Sequence, residues 1–369
     1  CGSFGVVVLV RERATGEFFA VKIMSKEQLA EEKQEQNVTL ERQVLRDAGP
    51  HPFVVECHSG FQTDEAVVLV LEYLSGGDFY DLLKAHGALS EKEAVFYLAE
   101  VAVAIAELHR CNFVLRDLKL ENILLDARGH IRLTDFGLAA RVKGIGDTSV
   151  TDLSGTAIYQ APEILNKAGH GVAVDWWAFG VLAYVMLVGR PPFASDVRTE
   201  LYRQIREKPL DLSSNPKTAD WKPETADLIT RLLTKEPSTR LGAQRGLEEI
   251  TSHPFFAGID FDKLLKMEVE PPLAPPRSPP PKEDIDNPNS PDTIQAHREF
   301  LEKISSNKKK RADKKPLSEY IHIGTPDART SIGLDFRNAR TGGGQEQRTW
   351  TGTTDDLGRP LVIALEPLQ

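Results

Sequence analysis

Cysteine is scarce in this chain, and positive charge does not dominate it. The 369 residues include only three cysteines, Cys1, Cys57 and Cys111, and their spacing fits neither a metal site nor a disulfide framework. A reducing compartment, the cytoplasm, is therefore expected, with the cysteines acting as small apolar side chains. The formal net charge of −9 argues against nucleic acid as a partner, because binding phosphates requires a basic surface.

Long hydrophobic runs are also missing. The longest largely apolar stretch, Trp176 to Val188, is shorter than the roughly 20 residues that cross a bilayer. It predicts a buried core helix and no membrane span. The chain begins at Cys1 rather than Met and enters a motif midway, so we expect the natural start to lie upstream.

The first part of the chain has the pattern of a small sheet. Residues 4–10 and 17–23 flank a turn and predict an antiparallel hairpin, and strands are predicted near 53–61 and 66–73. Between them, apolar residues at helical spacing up to Leu45 predict a helix packed on the hairpin.

Helical patterns dominate after residue 75. Ser90 and Glu93 form a capping box that predicts a long helix from Ala94 to His109. Further helices are predicted at 175–188, 199–207 and 224–234.

The composition changes after Phe256. A Pro-rich segment, 259–284, precedes an extension, 285–369, whose composition predicts disorder. A basic run, 308–311, has two interpretations: a nuclear-import signal, which would add the nucleus as a location, or solvated linker charge.

Four polar residues lie at a spacing that suits phosphoryl transfer. Asp117, Lys119 and Asn122 fall within six residues, and Asp135 follows Asn122 by thirteen residues. Singly, such residues are more often found in turns. Together they resemble the protein kinase signature H-R-D-L-x-x-x-N followed by D-F-G, with Leu115 at the histidine position. The resemblance implies that Asp117 accepts the proton of the attacking hydroxyl, Lys119 lies near the transferred group, and Asn122 and Asp135 hold Mg²⁺.

The first residues resemble the end of a kinase glycine-rich loop. Gly2, Ser3, Phe4 and Gly5 match the part of that loop that closes over the phosphates, without its first glycine. Two glycines beside a strand also fit a bulge or a turn.

The resemblance assigns further ATP contacts. Lys22 matches the strand lysine that binds the α- and β-phosphates, and Glu41 is its expected partner. A lysine on an apolar strand needs such a countercharge. The remaining assignments are Val7, Ala20 and Leu124 around adenine, Glu72 and Leu74 at the hinge, and Asp78 facing the ribose or a basic substrate residue.

The motifs of the second part are similar to those of AGC serine/threonine kinases, especially the protein kinase C branch. They comprise 129–135, 175–180, 253–256 and the Ala-Pro-Glu at 161–163, with Arg240 as the expected partner of Glu163. The resemblance covers about residues 1–275. It implies an α+β, bilobal fold with a small sheet-rich lobe at 1–74 and a larger helical lobe at 75–258.

The implied activity is transfer of the γ-phosphoryl group of MgATP to Ser or Thr of protein substrates. Glu121 and Asp78 match acidic positions that select basic residues near the acceptor. The tail has no recognisable hydrophobic motif that could bind the small-lobe helix within the chain. An upstream kinase or regulator could therefore bind that helix. The alternatives are an inactive binding scaffold and a small-molecule phosphotransferase; the intact polar set disfavours the first, and the Ala-Pro-Glu motif disfavours the second.

One acidic residue departs from the family pattern. Aligning Ser154-Gly155-Thr156 with the family's Cys-Gly-Thr puts Asp152 where an activating phosphothreonine is expected, with Thr151 just before it. Three interpretations remain open: Asp152 pairs with Arg116 and gives constitutive activity, Thr151 is the phosphosite in a shifted register, or Asp152 is a solvated loop carboxylate.

Overall fold

A computed structural model describes residues 5–12, 15–213, 215–276 and 363–366. The predicted phosphate-loop residues Gly2, Ser3 and Phe4 lie outside the described residues, as does the basic run at 308–311. The chain divides into two compact units, the first formed by 1–39, 57–73 and 280–369 and the second by 40–56 and 74–279.

An antiparallel sheet forms the first unit. Strands β1 to β4 and the later β9 are arranged in the order β3-β4-β2-β1-β9. The register pairs Val8 with Val21, and Val21 with Val70, which directs their side chains to one face of the sheet. These residues form an apolar cluster with Val10 and Val68. The strands are β1 (Val6–Glu12), β2 (Phe18–Ser25), β3 (Cys57–Gln62), β4 (Ala66–Glu72) and β9 (Ile363–Glu366).

Strand β9 lies in the extension for which the composition predicts disorder. Its residues pair antiparallel with β1, from Leu9 opposite Glu366 to Glu12 opposite Ile363. The sheet therefore gains an edge strand from far along the chain. For the remainder of 285–369 the prediction stays a prediction.

Helices and two short ribbons form the second unit. The α4 helix (Glu91–Arg110) begins at the predicted capping box: the Glu93 amide donates to Ser90 Oγ (3.3 Å), and the Ser90 amide donates to Glu93 Oε2 (2.8 Å). The α6 helix (Ala173–Val188) is buried and apolar apart from Asp175 and the Tyr184 hydroxyl, as predicted for a core helix. It ends at Gly189, whose φ of 82° is left-handed.

The helices of the described chain are α1 (Lys26–Glu31), α2 (Glu35–Ala48), α3 (Phe79–His86), α4 (Glu91–Arg110), α5 (Pro162–Leu165), α6 (Ala173–Val188), α7 (Arg198–Glu207), α8 (Pro223–Leu232), α9 (Leu247–Thr251) and α10 (Phe261–Leu265). The short strands are β5 (Phe113–Val114), β6 (Ile123–Leu125), β7 (Ile131–Leu133) and β8 (Ala140–Arg141), paired as β5–β8 and β6–β7.

The start of the Pro-rich segment lies against the second unit. Arg128 Nη2 donates to the carbonyl of Met267 (3.1 Å) and to Glu270 Oε1 (3.0 Å). Tyr97 Oη is 3.5 Å from the carbonyl of Leu273. Described residues up to 276 are therefore part of this unit.

The predicted α+β class is confirmed by an antiparallel sheet and a mainly helical part. Several element bounds differ from the sequence predictions. Within 53–56 the only β-structure is at Val54, which forms isolated bridges with His51 and Leu133 instead of starting a strand, and the polar stretch after Ser25 forms the short helix α1. Ser25 caps α1 by accepting a hydrogen bond from the Gln28 amide, a local signal that the apolar pattern does not register. The predicted bounds of the lobes stay predictions.

No helix among the described residues combines the length and the apolarity needed to cross a bilayer.

Candidate active site

The loop that follows β5 is held by a carboxylate of α6. The backbone amides of Leu115 and Arg116 donate to the two oxygens of Asp175, each over 2.8 Å. His109 Nε2 lies 2.8 Å from Asp175 Oδ2. Asp175 is fully buried, so its carboxylate is hydrogen-bonded to these protein groups instead of to water. Arg116 has a left-handed φ of 67°, which these bonds stabilise just before Asp117.

Four hydrogen bonds converge on the carboxylate of Asp117, which is 5% exposed. Oδ1 accepts from the amide of Thr156 (3.0 Å) and from its hydroxyl (2.8 Å). Oδ2 accepts from Lys119 Nζ (2.6 Å) and from Asn122 Nδ2 (3.2 Å). The predicted catalytic residues Asp117, Lys119 and Asn122 therefore form one hydrogen-bonded cluster, to which Thr156 also belongs.

Asn122 and Asp135 lie at the same end of the β6–β7 ribbon. Ile123 pairs with Leu133, and the Thr134 amide donates to the carbonyl of Asn122 (3.0 Å). Asn122 comes directly before β6, and Asp135 comes two residues after the end of β7, so both lie at the same end of the ribbon. An amide and a carboxylate oxygen are ligands that Mg²⁺ accepts, so the two residues fit the predicted metal role.

The Arg116 side chain extends to two other segments. Its Nε donates to the carbonyl of Leu138 (2.8 Å), and its Nη1 to Asp152 Oδ1 (2.5 Å). This contact agrees with the interpretation that Asp152 pairs with Arg116, and the Asp152 side chain is itself 59% exposed.

A second ion pair is buried at the end of the same segment. Arg240 Nη1 and Nη2 donate to the two oxygens of Glu163 over 2.6 and 2.9 Å. The bidentate geometry fixes the orientation of both side chains. It joins α5 to the loop after α8, as the resemblance implied.

In the first unit, predicted nucleotide residues share one face of the sheet. Val7 lies opposite Lys22 in the β1–β2 register, and Ala20 is two residues from Lys22 on the same strand. Their face is opposite to that of the valine cluster. Lys22 is 6% exposed, Val7 is 38% exposed, and Glu72 ends β4. A side chain at Gly5 would place its Cβ 2.5 Å from the carbonyl oxygen of Ile23, so this position requires glycine.

Other predicted nucleotide residues belong to the second unit. Asp78 and Leu124 form an antiparallel bridge, and Asp78 Oδ1 also accepts the Asp81 amide as the N-cap of α3 (2.8 Å). Glu41 is 3% exposed on α2, and Leu74 is half-buried. The pairing of Glu41 with Lys22 stays a prediction.

Sequence reasoning missed two contributors. Thr156 served only to set an alignment register, and 39 residues separate it from Asp117 in the sequence. The buried pair of Glu100 and His130, with Oε1 and Nδ1 2.6 Å apart, had no sequence signal because 30 residues separate the two. Glu100 Oε2 also accepts the Ile131 amide (3.0 Å), which fixes the start of β7. Burial raises the pKa of Glu100 above its usual value.

A loop carboxylate with four donors, an asparagine and an aspartate at one end of a ribbon, and a buried Glu–Arg ion pair fit the site of a protein kinase. The protein kinase domain family matches residues 1–256, and this chain belongs to that family. Members of the family use ATP and Mg²⁺.

Curated relatives narrow the class to AGC serine/threonine kinases. Protein kinase C, eye isozyme, of Drosophila melanogaster is 40% identical over 276 residues, which are 74% of this chain and 38% of that protein. Serine/threonine-protein kinase Sgk1 of Gallus gallus is 42% identical over 275 residues, covering 74% of this chain and 62% of that protein. The chain therefore spans less than two thirds of the length of these relatives.

Proposed function

We propose that this chain is a serine/threonine protein kinase, which transfers the γ-phosphoryl group of ATP to Ser or Thr hydroxyls of protein substrates. The supporting observation is the Asp117 carboxylate, buried beside Lys119 and Thr156 at the end of an anchored loop. In the transfer, the hydroxyl oxygen forms a bond to the γ-phosphorus while the bond to the β-phosphate oxygen breaks. Asp117 orients the hydroxyl and accepts its proton, and ADP leaves.

The hydrogen bonds of Asp117 predict how a substrate enters. A carboxylate has about four acceptor sites, and four donors already engage this one. A substrate hydroxyl must therefore replace a donor. The Thr156 amide and Asn122 are fixed by the backbone and by a second bond from Asn122 to the Asp117 carbonyl (2.9 Å). The Thr156 hydroxyl and Lys119 Nζ are the movable donors, and displacement of Lys119 would place an ammonium beside the transferred phosphoryl group.

Asn122 and Asp135 would hold Mg²⁺, which when bound neutralises charge on the phosphates. Lys22 and Gly5 would bind phosphates, and Val7 and Ala20, on the same face of the sheet as Lys22, would contact adenine; the role of Leu124 toward adenine stays a prediction. Asp117 remains the proton acceptor, because its own position depends on Lys119, Asn122 and Thr156 rather than on the nucleotide.

The substrates we propose carry basic residues near the acceptor. Glu121 is exposed four residues after Asp117, where it can meet a cationic side chain. We expect the substrates to be cytoplasmic proteins, because the few cysteines of this chain suit a reducing compartment. A regulator acting at α2 stays part of the proposal.

The test is phosphate transfer to a serine peptide with arginines upstream of the acceptor, in ATP and Mg²⁺. Asp117→Asn and Asp135→Asn should each abolish transfer, whereas Asp220→Asn, an exposed control, should not. Glu121→Gln should raise KM for the basic peptide and leave KM for a neutral peptide unchanged. ATP binding without transfer in the unaltered chain would replace the proposal with the scaffold alternative.

A further inference from the structure

The segment 152–156 crosses the dipeptide Arg116-Asp117 at three points. Asp152 binds the Arg116 side chain, and Thr156 binds the Asp117 carboxylate. Between them, Gly155 has a φ of 90°, and a Cβ there would lie 2.3 Å from the Arg116 carbonyl oxygen. So close an approach means that the segment and the loop have one relative position when all three contacts form.

Arg116 is a buried cation that needs a countercharge. Its side chain is 7% exposed, whereas that of Asp152 is 59% exposed. The carbonyls of Leu138 and Ala139 accept hydrogen bonds from the guanidinium but do not neutralise it. Asp152 supplies the carboxylate, and it comes from the segment that also carries Thr156.

We propose that Asp152 is a positioning residue for Asp117: its permanent charge holds segment 152–156 on the catalytic loop, so that the arrangement does not await phosphorylation. This inference rests on the proposed function. Thr151, the alternative phosphosite, is exposed beside Asp152.

The neighbouring titratable groups support a permanent charge. Partial burial would raise the pKa of Asp152, but the Arg116 charge and hydrogen bond outweigh it and lower this pKa below its usual value. His170, 1% exposed, interacts electrostatically with both residues and with Glu163 and Asp175. Burial, and then the Arg116 charge, lower the pKa of His170, so near neutral pH it stays uncharged. A phosphate, by contrast, gains its second charge near pH 6.

The kinetic test uses the full chain after phosphatase treatment, with its unmodified mass verified. Asp152→Ala and Asp152→Asn should lower kcat/KM for the peptide by about 10-fold or more, the scale of a hydrogen bond to a charged group. Asp152→Glu should restore part of the loss, and Thr151→Ala should match the unaltered chain from pH 6 to pH 8. Full activity in Asp152→Ala, or loss in Thr151→Ala, would overturn the proposal.

Amide hydrogen exchange gives a readout independent of transfer. Asp152→Asn should speed exchange of the Thr156 amide, which donates to Asp117, and leave the Leu115 and Arg116 amides, which donate to Asp175, unchanged. This result would support the positioning role even if the unaltered chain transferred no phosphate and the proposed function failed. Equal protection of Thr156 in both proteins would refute it, and so would loss of protection throughout the loop.

Discussion

The buried ion pair of Glu163 and Arg240 offers a test of stability whose size follows from its geometry. The Arg240 side chain is 0% exposed and that of Glu163 is 6% exposed. Arg240 also donates to the carbonyls of Ala173 (2.7 Å) and Thr234 (3.1 Å). Glu163→Ala would leave the guanidinium with these carbonyls and no countercharge.

Removing one member of such a pair typically costs about 3–5 kcal/mol, because the other charge stays buried without compensation. We expect Glu163→Ala to lower the free energy of unfolding by that amount. The double variant with Arg240→Ala should lose less than the sum of the two single losses, because it leaves neither charge behind. The exposed pair Glu200 and Arg203 is the matched control, with side chains 39% and 54% exposed. Breaking it should cost no more than about 1 kcal/mol.

The assay is urea unfolding near neutral pH, followed by circular dichroism and tryptophan fluorescence. The guanidinium carbon of Arg240 lies 5.2 Å from the centre of the Trp177 ring, so the fluorescence reports on this site. A loss below 1 kcal/mol in Glu163→Ala would refute the reasoning. So would single losses that simply add in the double variant, because the two charges would then not be coupled.

Two further predictions concern a helix cap and the loop anchor. Ser90→Ala should lower the free energy of unfolding by about 1 kcal/mol at pH 7. Because the Ser90 hydroxyl lowers the pKa of Glu93 below its ordinary 4.5, the difference in stability from the unaltered chain should shrink as the pH falls through that lowered value. A difference in urea midpoints that stays constant across pH would contradict this prediction. Asp175→Asn replaces one acceptor of the Leu115 and Arg116 amides with a donor; it should lower kcat with little change in KM for ATP, and an unchanged kcat in steady-state assays would contradict it.

The parts of the fold that the sequence predicted depend on local signals. The Ser90–Glu93 box marked the start of α4, and two largely apolar segments that flank a turn marked the β1–β2 hairpin to within two residues. The start of α1 depends on a single serine cap, which the apolar pattern does not reveal. Strand β9 could not be predicted, since its partner β1 is more than 350 residues away in the sequence.

The candidate site likewise contains residues with a local sequence signal and residues without one. Asp117, Asn122 and Asp135 could be proposed as site residues because they are close in the sequence and resemble a known motif. Thr156 was missed as a partner of Asp117 because 39 residues separate them, and only the fold brings them together. A motif therefore predicts which groups react, whereas the contacts that hold those groups come from segments that the motif does not include.

The carboxylates of Asp175 and Asp152 hold the loop that carries Asp117 in different ways. Variants of the two residues should therefore differ in their kinetic defects. Asp175 binds backbone amides of Leu115 and Arg116, so it sets the path of the chain leading into Asp117. Asp152 binds a side chain, and its loss leaves that path intact while releasing the segment that carries Thr156. A defect at Asp175 should therefore reduce turnover for every substrate, since Asp117 itself is displaced. A defect at Asp152 should depend on the peptide, because a tightly binding peptide can restore the order of the released segment at the cost of part of its binding energy.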